Sequence, residues 1–107
     1  GDGIARVVLP SNFDGLKLKS IGGHVYTAAT GSTTNIQVHN QTKGQDMLST
    51  LLTIDAGEND SSTAATPAVI NGSANTVNDG NVIRFDIDQI GSGSAANGLE
   101  LRLEFGA

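Results

Sequence analysis

Two runs near the C-terminal end alternate without a break. Apolar Ile83, Phe85 and Ile87 occupy every second position of one, and Leu99, Leu101, Leu103 and Phe105 every second position of the other. A period of two belongs to a strand with one packed face and one wet face. Arg84, Asp86 and Asp88, and likewise Glu100, Arg102 and Glu104, then fall on the solvent sides. Nowhere does the chain place apolar residues at three- and four-residue spacing over a helix-length window, because Gly or Asn-Gly interrupts every candidate. The chain is therefore predicted to be all-β.

About eight strands are expected, approximately over residues 4–9, 16–21, 24–28, 33–39, 47–54, 63–70, 82–90 and 99–105. The intervening stretches are rich in Gly, Asn, Asp and Ser, which accept positive φ or close side-chain turns. Short strands at this spacing predict a two-sheet antiparallel sandwich with a jelly-roll-like course, and an immunoglobulin-like sandwich or a small barrel uses the same pattern. Pro67 cannot donate to a ladder, so the strand that contains it is expected at an edge or at a bulge. Ile83, Phe85, Ile87, Leu101, Leu103 and Phe105 are expected to be buried together.

With 107 residues the chain makes a single domain with a modest core. Residues 1–12 read either as an extended arm, with Ala5–Leu9 pairing to another subunit, or as an ordinary first strand. Leu51 falls on the face opposite Leu48, Leu52 and Ile54, so Leu51, together with Val25, is expected to be covered by a neighbouring subunit.

Composition removes several classes of function. Six basic against eleven acidic residues give a net charge of −5, which repels a phosphate backbone, so no nucleic-acid partner is expected. No apolar run is long enough to span a membrane. With no Cys there is neither a disulfide nor a thiolate site. His24 and His39 lack the Cys, Ser-elbow or HExxH context of a triad or a zinc site, and both read as surface polar groups. Neither a catalytic residue nor a cofactor nor a metal ligand is indicated.

Asp86 and Asp88 would face Glu100 or Glu104 if the two alternating runs formed a hairpin, and such a set of oxygens suits calcium. Arg84 and Arg102 among them favour cross-strand ion pairs on a solvated face instead. The acidic turn 55–60, DAGEND, has no calcium-loop spacing and reads as solvated. Three Asn-x-Ser/Thr triplets, at Asn40, Asn59 and Asn71, occur at the frequency expected for so Asn- and Thr-rich a chain. If the protein binds a surface glycan, Tyr26, its only Tyr, would stack on the sugar, with Gln37, His39 and Gln41 as the polar stripe.

Taken together, the stretch TGSTTNIQVHNQTKGQDMLSTLLTIDAGENDSS and then DGNVIRFDIDQIGSGSAANGLELRLEF resembles a β-sandwich module of tailed-bacteriophage virion proteins. The resemblance runs from Leu16 to Phe105. It implies head-decoration, fibre or other tail-associated proteins, and hence a virion location, a trimer about a threefold axis, a capsid or tail partner and no catalytic residues. On such a particle the small, neutral insert 91–98 would serve as a spacer or a contact surface.

Overall fold

The computed structural model describes residues 5–107. Nine strands and two short 3-10 turns account for its regular structure: β1 (Ala5–Val8), β2 (Lys17–Thr27), β3 (Ser32–Asn40), β4 (Gln45–Asp46), β5 (Leu48–Thr50), β6 (Leu52–Ile54), β7 (Val69–Ile70), β8 (Val82–Gly91) and β9 (Asn97–Gly106), with the turns at Ser11–Phe13 and Ser61–Thr63. The all-β antiparallel sandwich expected from the alternation is present.

The larger sheet runs β1-β8-β3-β4, with β6 also pairing with β3. The β2-β9 pair packs against it, and the short β5-β7 pair lies where the chain leaves β4 beside β3. Ile36, Val38, Ile83 and Phe85 from the first sheet, Leu18 and Val25 from β2, and Met47, Leu48, Leu52, Ile54 and Val77 form one buried cluster. Ile83 and Phe85 are buried as expected, whereas Ile87, Leu101, Leu103 and Phe105 pack against that cluster and are only partly covered. Phe105 meets Phe13 edge to face, with ring centroids 5.3 Å apart.

Several expectations require correction. The two alternating runs do not form a hairpin: β8 pairs with β1 and β3, and β9 pairs with β2. Asp86 and Asp88 therefore never face Glu100 or Glu104, and the calcium arrangement falls with the hairpin. Instead Arg84 grips Asp86 on its own strand, with Nε–Oδ1 at 2.8 Å and NH2–Oδ2 at 3.0 Å. Val25 needs no neighbouring subunit, because it is fully buried within its own chain.

Strand boundaries shift for physical reasons. The strands expected over 16–21 and 24–28 merge into the single strand β2, Lys17–Thr27, which passes through Gly22-Gly23. Residues 47–54 divide at Leu51, so that β5 pairs with β7 and β6 with β3. Of residues 63–70, only Val69–Ile70 form a strand, beyond the Pro67 that the ladder cannot use. Ala5–Val8 pairs antiparallel with Val82–Phe85 of its own sandwich; Gly1–Ile4, the start of the segment read as an arm, lies outside the described residues.

The inert insert has a role in this arrangement. It carries the chain from one sheet to the other, and it does so pressed against the Thr30–Ser32 tip. The Thr30 N–H donates to Ser94 O at 2.9 Å, the Ser94 N–H to Thr30 Oγ1 at 3.0 Å, and the Ser32 hydroxyl to Ser92 O at 3.0 Å. Gly93 has φ +107°, and a Cβ there would run into Thr30 O. Small residues are required because two backbones meet.

Candidate functional site

The outer face of the β2-β9 pair carries a set of charged side chains beside an exposed aromatic. Register places Ser20 opposite Glu104, Gly22 opposite Arg102 and His24 opposite Glu100, and Tyr26 follows at the end of the same face. Gly22 makes the arrangement possible. A Cβ at this position would collide with the Arg102 guanidinium, which lies across the glycine and reaches the loop beyond β2.

There Arg102 meets Asp60, with NH1–Oδ2 at 3.1 Å and NH2–Oδ1 at 3.2 Å. The His24 ring approaches the same carboxylate, Nδ1 to Oδ2, at 3.1 Å, and the Ser62 N–H donates to Oδ1 at 2.9 Å. The guanidinium, helped by the Ser62 N–H, holds the Asp60 carboxyl well below the ordinary carboxylate range. Reciprocally, Asp60 raises the affinity of Arg102 for its proton. A second loop carboxylate, Asp14, accepts from the Asp79 N–H at 2.9 Å and the Asn78 amide at 3.1 Å, which lowers its pKa as well.

Beside Arg102 an open groove of about 420 Å³ is lined by Lys19, Ser61 and Ser62 above an apolar floor of Ile21, Leu52 and Ile70. Nothing in it forms a nucleophile–base pair. His24 is bonded to Asp60, and no hydroxyl bonds to the ring among the described residues. Among those residues no group of three His, Asp or Glu side chains converges to hold a metal ion.

The expected contact residues are dispersed. Tyr26 is 85% exposed on β2, beside Gly98, whose bare Cα leaves room for the tyrosine Cβ. Gln37 faces the outside of the other sheet, where it is committed to the backbone: its amide donates to Leu48 O at 3.0 Å and its Oε1 accepts from the Leu48 N–H at 3.1 Å. His39 Nδ1 lies 2.7 Å from Asp46 Oδ1, and Gln41 accepts from Arg6 Nε at 3.0 Å. Those three share one outer face of the large sheet, but Tyr26 belongs to the other sheet, so the aromatic and the polar stripe form no common site. Leu51 is 36% exposed between β5 and β6.

Sequence reasoning passed over Asp60 and Gly22. Asp60 lies in a turn that looks merely solvated, and Gly22 shows no sign of the residue that will lie across it. The three Asn-x-Ser/Thr asparagines are likewise engaged: Asn40 is buried and bonds to Asn81 at 3.0 Å, Asn59 donates to Val25 O at 2.9 Å, and Asn71 donates to Asp46 O at 3.4 Å.

No family model matches the chain, and no curated protein or solved structure shows significant similarity to it.

Proposed function

We propose that the chain is a non-enzymatic structural module of a bacteriophage virion surface, of the head-decoration or tail-fibre type, which associates with copies of itself and binds a capsid or tail protein. The virion assignment comes from the sequence resemblance. The observation that carries the structural role is where the chain spends its polar groups. Gln37, Asn40, Asn59, Asn75 and Asp60 bind main-chain or neighbouring side-chain partners across loops and strands, so they serve as stitching. Candidate positions for self-association are Leu51, which is 36% exposed, and Val69, which is 50% exposed on β7 where it pairs with Thr50. The resemblance gives the expected assembly as a trimer.

Mass spectrometry of purified particles of the phage that encodes the chain tests this reading. The chain is expected as a stoichiometric component, and its absence from the particles would overturn the proposal. A glycan-binding module for host attachment is the second reading, and the exposure of Tyr26 beside His24 and Glu100 favours it. Competable binding on a glycan array, abolished by Tyr26→Ala, would establish that alternative.

A further inference from the structure

Among the described residues strand β9 is paired along one edge only. Its neighbour β2 is closed on the far side, where the Leu18 N–H donates to Asn75 O at 2.9 Å and the Val25 N–H to Asn59 O at 2.8 Å. Isolated bridges join Lys17 to Thr76 and His24 to Asp60 along the same side. Among the described residues no strand lies on the other edge of β9, so alternate residues of this ten-residue strand present outward N–H and C=O groups.

Two further features mark this edge. Leu99, Leu101, Leu103 and Phe105, on the inner face, are only partly covered, whereas Leu18 and Val25 on β2 are fully buried. Apolar cover runs out at β9. On the outer face Glu100 and Glu104 are exposed, while Arg102 is drawn across Gly22 to Asp60, on the β2 side and away from the open edge. The edge thus offers a carboxylate row on one face and a leucine row on the other.

We infer that the β9 edge docks an extended segment of a partner protein in which Lys or Arg alternates with apolar residues, added as a third strand to the β2-β9 sheet. Directly opposite residues of neighbouring strands share a face with Cβ atoms about 5 Å apart. Basic side chains of the incoming strand then meet Glu100 and Glu104, and its apolar residues extend the cover over Leu101 and Leu103. On its paired edge β9 sets Ser20 opposite Glu104 and His24 opposite Glu100, so neither carboxylate has a Lys or Arg of its own chain directly opposite. A second copy fits less well, because it brings its own Glu100 and Glu104 to the same edge and each chain carries −5. This inference rests on the reading of the chain as a protein-binding module and supplies the chemistry of its partner.

The test titrates the isotopically labelled full chain with a short synthetic peptide of alternating Lys and Val, and with its counterpart carrying Glu for Lys. The Lys peptide should shift β9 amides and slow their hydrogen exchange, with about ten-fold higher affinity than the Glu peptide. The double variant Glu100→Lys/Glu104→Lys should reverse that preference. Equal affinities, shifts that map away from β9, or no shift with either peptide would overturn the inference. So would β9 amides already protected in a dimer before any peptide is added, since the occupant would then be a second copy. Failure here leaves the chain's presence in virions untouched, and docking at β9 by a chain absent from particles would sink the virion reading alone.

Discussion

At the scale of single residues, glycines determine what the surface of this protein can do. Gly22 leaves the space through which Arg102 reaches Asp60. Gly22→Ala should displace that flexible side chain with little loss of fold, and the Asp60 pKa, followed by carboxyl NMR, should rise toward the ordinary value as it does in Arg102→Gln. An unchanged Asp60 titration in both variants would refute the assignment. The sign for stability follows from the direction of the shift. The folded-state pKa of Asp60 is depressed, so the contribution is complete above the unfolded value of about 4 and is lost as pH falls through the folded value. Asp14, lowered by the Asp79 N–H, acts in the same direction. The melting temperature of the wild type should therefore fall more steeply below about pH 4 than that of Asp60→Asn, and parallel curves would contradict the pairing. Gly93 differs from Gly22 because its Cβ would meet backbone at positive φ. Gly93→Ala should cost at least about 1 kcal/mol in denaturant unfolding, and a neutral result would show that the insert is not held against Thr30.

At the scale of elements, the strands were legible wherever one face packs and the other is wet. The alternation of Ile83-Phe85-Ile87 and of Leu99-Leu101-Leu103-Phe105 gave both long C-terminal strands and their inner faces, because side-chain direction repeats every two residues, whereas Asp86, expected on the wet side, is as buried as Phe85. Pairing was not legible. Alternation fixes a strand's faces and leaves its neighbours open, and a short Gly-Ser-Ala connection suits a crossing between sheets as well as a hairpin. The candidate site was hidden for a related reason: Arg102 and Asp60 lie 42 residues apart and meet only because β9 is placed beside β2. Turn-forming residues conceal such roles, since Asp60 has the same composition cues whether it is solvated or bonded. Phe85 tests the face assignment. It pairs with Val38 and closes the core, so Phe85→Ala should destabilise by about 3–5 kcal/mol in chemical denaturation. A cost below about 1 kcal/mol would place the ring outside and exchange the faces of β8.

At the scale of the whole molecule, the chain is a thin sandwich whose polar groups are largely spent on holding its own loops and whose remaining resources are surfaces: the Leu51 and Val69 positions, and the open edge of β9. A net charge of −5 opposes close approach of copies at long range, so the proposed self-association has to draw on apolar contact and should strengthen with salt. Leu51→Asp combined with Val69→Asp changes only exposed side chains, and it should leave the melting transition in place while abolishing assembly. Loss of both together would mean that these side chains support the fold rather than a contact. Static light scattering on the purified chain over a wide concentration range tests whether the module assembles with copies of itself. The expected result is a particle of three times 10.9 kDa that reverts to a single chain in the Leu51→Asp/Val69→Asp variant, and a wild-type chain that stays monomeric at every concentration and salt would refute self-association.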